Sequence, residues 1–325
     1  MKNMLIDFYN DKRTTWLANF CEYFNLDFKD TENYFNSVDV ASIDTDKVVK
    51  DLGIDLIKPC SSNIKIRCRH MTTLSEKGLE NIKKYGLLDL KKMLQLDTTL
   101  SEFLNKYKIS VDIDNKLILI GDNKYPILSN EDSCPYCLNN KNTNICTGYN
   151  KCKLRRKLEI LSLKLYKYGA TIEFFIYSEL SNMEGYSTIN RYPEILDTIE
   201  GISSHISNNK ISKLRLGCDW EKQKKCYIIE FSSTLSNMET YEPIDYVKAY
   251  YNYENAFYVN GYSYDDYINK EIPQNVINNL ILVKWFINVY LLDVNEELGS
   301  LLPNKCVPAD DITIIEIHNN RLIYI

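Results

Sequence analysis

The stretch ISVDIDNKLILIGDNKYPIL (109–128) constrains the fold of this chain more than any other. Short alternating or apolar runs are separated by Asp-Asn and Gly-Asp-Asn, residues that form tight turns and tolerate left-handed backbone. The expected result is three neighbouring strands in an antiparallel meander, with no room for crossover helices between them. Other strands are predicted at 63–71 and 170–178, in a hairpin with arms near KLRLGCDW and KCYIIEFSS, and in a terminal hairpin through Asn319-Asn320. Helices are predicted across 1–58. Thr73 and Glu76, spaced as a capping box, open a further helix through Tyr85 that Gly86 ends. Two short helices fill 88–107, a basic helix covers KLRRKLEILSLKLYKYG, and a long one spans about 274–292, while the tyrosine-rich 239–267 reads as loop. Strands cluster instead of alternating with helices, so the fold class is α+β. The expected organisation is an N-terminal helical segment, 1–60, and a main domain, 61–325, with a cysteine-bearing insertion at about 130–155.

Composition narrows the classes of partner. The chain has 325 residues, 45% of them hydrophobic, and a formal charge of −5, so no global field draws it to nucleic acid or anionic lipid. MKNMLIDFYNDKRTTW carries charges where a signal peptide has its apolar core. The longest apolar run, NLILVKWFINVYLL, is shorter than a membrane span and is broken by Lys284 and Asn288. The expectation is a cytoplasmic protein that does not associate with membranes, whose ten cysteines are buried thiols or metal ligands.

Four of those cysteines form one pattern: Cys134-Pro-Tyr-Cys137, then Cys146 and Cys152, or CxxC-x8-C-x5-C. Thiolates two residues apart can chelate one tetrahedral ion, and so polar a loop would gain order from it. Structural zinc is the expectation; unpaired loop thiols and a redox CxxC are the rivals. Four thiolates leave no open position for catalysis. The basic cluster KCKLRRKLE beside them reads as a solvated face or as a contact for phosphate or an acidic protein.

The strand IKIRCRHMTT carries one of only three histidines. Ile64, Ile66 and Cys68 alternate on one face, and continuing that face leads to His70 and Thr72. An imidazole and a hydroxyl emerging together at a strand end are suited to a vicinal diol and a carboxamide. A packed, hydrogen-bonded histidine is the plainer alternative.

The segment around and beyond the histidine, RHMTTLSEKGLENIKKYGLL, resembles the opening of the His-type ADP-ribosyltransferase superfamily, which includes DarT-type DNA ADP-ribosyltransferases, poly-ADP-ribose polymerases and RNA 2′-phosphotransferases. His70-Met71-Thr72 is similar to its His-x-Thr/Ser triplet, and Asn81-Ile82-Lys83-Lys84-Tyr85-Gly86-Leu87 to the end of the helix after it. A second segment, NEELGSLLPNKCVPADDITIIEI, resembles the late part that holds a catalytic glutamate. The resemblance implies a split β-sheet core with N-terminal helices and the Cys-rich loop inserted. It implies NAD as co-substrate, with His70 and Thr72 on nicotinamide and its ribose. Tyr177 is the candidate for stacking on nicotinamide. Glu296, with Glu297 as the alternative, would orient the ribose 2′-hydroxyl and stabilise an oxocarbenium-like centre. The implied protein is a bacterial ADP-ribosyltransferase acting on protein or nucleic acid, as a toxin or phage-defence effector. The rival from another class is a non-enzymatic sensor or adaptor with a degenerate transferase fold and a zinc site. No Walker loop, GxGxxG, GxSxG or HExxH is present.

Overall fold

The computed structural model describes residues 4–58, 64–129, 152–167, 171–206, 214–240, 244–258, 261–292, 294–318 and 321–325. Its architecture is mixed α/β with mainly antiparallel strand pairing. The chain opens on a strand, β1 (Met4–Ile6), where helix was expected, and continues through α1 (Arg13–Phe24), α2 (Phe28–Ser37) and α3 (Thr45–Asp51). Asp27 and Asp44 cap α2 and α3 by accepting backbone N–H groups.

Strand β2 (Ile64–Leu74) runs further than its apolar alternation suggests, so Ser75, not Thr73, caps α4 (Glu76–Tyr85). Thr73 stays in the strand, where its buried hydroxyl accepts the Trp220 indole N–H at 2.8 Å. Gly86 ends α4 as expected, at φ 77° and ψ −165°, a region open essentially to glycine alone. Next come α5 (Leu90–Gln95), α6 (Thr99–Lys106) and the meander β3 (Ile109–Asp112), β4 (Leu117–Ile120) and β5 (Asn123–Pro126), paired antiparallel as the turn residues dictate.

Helix α7 (Lys153–Ser162) precedes β6 (Glu173–Ser178), α8 (Leu180–Gly185) and α9 (Ile195–Ile206). The supposed hairpin arm KLRLGCDW is instead a helix, α10 (Leu216–Glu221), whose i, i+4 pair Leu216 and Trp220 is fully buried. Its supposed partner is β7 (Lys225–Thr234). Beyond β8 (Met238–Thr240), most of the described part of the tyrosine-rich stretch is helix, not loop. It forms α11 (Tyr246–Phe257) and α12 (Tyr264–Tyr267), and Ala249, Tyr250 and Tyr253 bury the i, i+1, i+4 face of α11. Then come α13 (Gln274–Phe286), which runs into a π-helical turn over Ile287–Leu291, β9 (Glu296–Leu301), β10 (Ile312–His318) and β11 (Arg321–Tyr324). No helix is long and apolar enough to cross a membrane among the described residues.

The chain divides into two compact units, and β2 and β7 contribute residues to both. The first comprises 1–69, 173–182 and 230–302. Its strands run in the order β7–β2–β6–β9–β8, with β1 parallel to β2. Helices α1 and α13 meet through Phe20 stacked on Phe286 at 4.1 Å, while Asn279 accepts from Tyr23 and donates to the Leu56 carbonyl. A charged network is buried here. Arg67 lies 2.9 Å from Asp7 and 2.7 Å from Glu230, and the Arg69 guanidinium takes the other Glu230 oxygen at 2.9 Å. Arg69 also covers the Tyr9 ring at 3.9 Å.

The second unit comprises 70–172, 183–229 and 303–325, with strands in the order β11–β10–β7–β2 and the separate meander β3–β4–β5. Its core joins Phe103 and Leu104 of α6, Ile118 of the meander, Leu158 and Leu161 of α7, Ile199 of α9 and Trp220.

Candidate functional site

In the second unit, side chains two apart on β2 share a face, and this places both His70 and Thr72, each half-buried, on the wall of one cavity. Helix α4 and the turn after it supply Asn81, Ile82, Gly86 and Leu87; Thr98–Leu100, Pro193 and Trp220 close the rest. Asn81 is fixed from behind, its Oδ1 accepting both the Thr99 backbone N–H, at 3.0 Å, and the Thr99 hydroxyl. Gly86 is required for closure. A Cβ there would stand 2.0 Å from the Val307 carbonyl oxygen, because Leu87 and Val307 exchange backbone hydrogen bonds of 2.9 and 3.1 Å.

The cavity is small. About 60 Å³ holds a few waters, whereas small-molecule sites usually offer about 300–1,000 Å³. Its chemistry is selective nevertheless: an imidazole, hydroxyls and an amide sit in a mostly apolar wall, where each unmet polar group would be costly.

The remaining residues implied by the resemblance lie in the first unit. Tyr177 on β6 stands directly opposite Glu297 on β9, and Ser178 opposite Glu296. Glu297 is buried, and the Asn288 amide, presented by the π-helical turn, donates to its Oε2 at 2.8 Å. Glu296 is half-buried, and loss of water around its carboxyl raises its pKa above the ordinary glutamate value. The Tyr177 ring packs 6.2 Å from Tyr9 and 6.1 Å from Trp16.

Cys134, Cys137 and Cys146 lie outside the described residues. Cys152 is the N-cap of α7, its sulfur accepting the Arg155 backbone N–H at 3.4 Å, a role open to a thiolate that also binds a metal. Among the described residues no group of three or more His, Cys, Asp or Glu side chains is placed to hold a metal ion. His205 is in the last turn of α9.

Sequence reasoning passed over a larger cavity in the first unit, about 510 Å³, between α3 and α11. Lys47, Lys50, Asn252, Tyr253 and Phe257 line it. The only signal was the helical spacing of apolar and aromatic residues in 249–257, hidden among tyrosines and asparagines that read as loop. Compared with known proteins, the chain matches no family model, no curated protein and no solved structure.

Proposed function

We propose that this chain is an NAD-dependent ADP-ribosyltransferase that modifies a macromolecular acceptor. The observation that carries the reading is the shared cavity of His70 and Thr72, closed by the helix whose end, with Asn81, Gly86 and Leu87, completes the resemblance. In this mechanism His70 holds a hydroxyl of the nicotinamide ribose, and the Thr72 hydroxyl holds a second polar group of nicotinamide riboside. On the resemblance alone, Glu296 or Glu297 would orient the 2′-hydroxyl and offset the positive charge that develops as the bond to nicotinamide breaks. An acceptor nucleophile on protein or nucleic acid then attacks the anomeric carbon and gives up its proton. The resemblance alone assigns Tyr177 to stacking on nicotinamide. The cavity must widen before nicotinamide riboside can enter. Structural zinc on Cys134, Cys137, Cys146 and Cys152 belongs to the same proposal, and a role as bacterial toxin or phage-defence effector rests on the resemblance alone.

The test is turnover of labelled NAD with cell lysate, tracking label separately into protein, DNA, RNA and free ADP-ribose. Transfer to one class of acceptor, lost in His70→Ala and in the double variant Glu296→Gln/Glu297→Gln, is the expected result. Label found only as free ADP-ribose makes the protein a glycohydrolase. Absence of both NAD binding and nicotinamide release overturns the reading.

That last outcome would favour the sensor or adaptor. Specific observations support it: Glu297 is already held by Asn288, and the Tyr177 ring already packs against Tyr9 and Trp16.

A further inference from the structure

The cavity between α3 and α11 in the first unit, about 510 Å³, has the size of a small-molecule site, usually about 300–1,000 Å³. Its floor is apolar: Val49, Ala249 and Leu280 line it and are at most 5% exposed. Two hydrogen bonds fix the separation of its walls. Asn252 Nδ2 of α11 donates to Asp46 Oδ2 of α3 at 2.6 Å, and the Tyr253 hydroxyl donates to Asp55 Oδ1, just beyond α3, at 3.0 Å. A site held open in this way has little ordering left to do when a ligand arrives.

The wall carries four charged side chains among the described residues, and three of them are engaged. Asp51 accepts the Lys47 ammonium at 2.9 Å and the Tyr34 hydroxyl at 3.1 Å. The Lys47 hydrogen bond, first among the causes, holds the Asp51 carboxyl below the ordinary aspartate value. Asp46 is taken up by Asn252. The Lys50 ammonium makes no hydrogen bond or ion pair among the described residues, and its charge acts on Asp51 only at longer range. Phe257, in the last turn of α11, packs its ring 5.1 Å from Tyr253 yet is 40% exposed. Asn255 donates its amide N–H to the Tyr251 carbonyl at 2.8 Å, so it and Asn252 both keep a side-chain carbonyl as acceptor.

We propose that this cavity binds a nucleoside monophosphate. The base lies against Phe257 and gives its N–H groups to the asparagine carbonyls, while the phosphate takes Lys50. The carboxylates of Asp46 and Asp51, beside a single unengaged ammonium, favour one phosphate over two or three. The site is independent of the transferase reading, and failure of NAD turnover leaves it standing.

The experiment is calorimetric titration of the full chain with AMP, GMP, CMP and UMP, and with their nucleosides and ribose 5-phosphate as half-ligands. At least one nucleotide is expected to bind saturably, about tenfold or more tighter than its nucleoside and than ribose 5-phosphate. Lys50→Ala should weaken that nucleotide about tenfold, the order of loss when a charge-assisted hydrogen bond is removed, and leave the nucleoside unchanged. Phe257→Ala should weaken both. Lys50 and Phe257 are exposed, so neither variant removes a core contact; Asn255→Ala, also exposed, is a third reporter. Binding of none of the four nucleotides overturns the proposal. So does an affinity unchanged in all three variants, or one abolished by His70→Ala, which would put the nucleotide in the His70 cavity.

Discussion

Glu296 is a half-buried carboxyl whose pKa is raised by loss of water. A group that binds its proton more tightly when folded contributes stability fully present below its unfolded value, about 4.5, and lost as pH rises through the folded value. Glu296→Gln removes the ionisable group. It is therefore expected to raise the urea midpoint relative to the parent at pH 7 and to leave it nearly unchanged at pH 4. Equal shifts at both pH values would exclude burial of the charge as the cause. The His70–Thr72 pair was legible at this scale because period-2 alternation is a property of the strand alone. The burial of Arg69 was not. Its acid partner, Glu230, is 161 residues away, and nothing local to IKIRCRHMTT distinguishes a paired arginine from a solvated one.

Among elements, the join between α4 and the segment before β10 depends on Gly86. An alanine there faces two costs: a backbone region worth about 1–3 kcal/mol against any residue but glycine, and the clash with the Val307 carbonyl. Gly86→Ala is expected to lower the melting temperature and to loosen the segment 304–307, read as faster hydrogen exchange at Leu87 and Val307. A melting temperature equal to the parent's would show that the join gives way without cost. The meander and the end of α4 were readable because turn residues and a terminating glycine act over four or five positions. α10 and α11 were not, since their burying faces are a few large side chains set in polar sequence. Trp220 needs Thr73 and Phe103 to show which way it faces.

For the molecule as a whole, β2 and β7 each supply residues to both compact units. Loss of strand pairing inside a unit should unfold that unit in a single transition. Glu230→Gln gives a direct check. It leaves Arg67 with Asp7 but deprives Arg69 of its carboxylate among the described residues, and an uncompensated buried charge costs about 3–5 kcal/mol. Fluorescence from Trp16 and Trp285 reports the first unit and from Trp220 the second. With phenylalanine replacing the others in turn, the Trp16 and Trp285 signals should shift to lower urea. Unchanged midpoints for both would mean that Arg69 does not need the carboxylate.

The three-part assembly of the first unit also sets a timetable for synthesis. Ile64 and Ile66 leave the ribosome well before β6, β7 and β9, the last of which ends at Leu301. At roughly 5–20 residues per second, β2 has only the three-residue β1 beside it for on the order of ten seconds, until β6 and β7 emerge. During that interval its apolar face and the backbone that β6 and β7 will pair are open to sticking to other nascent chains. The meander, complete within about twenty residues, has no such delay. Yield in cells should therefore depend more on chaperones that shield β2 than on the final stability of the fold.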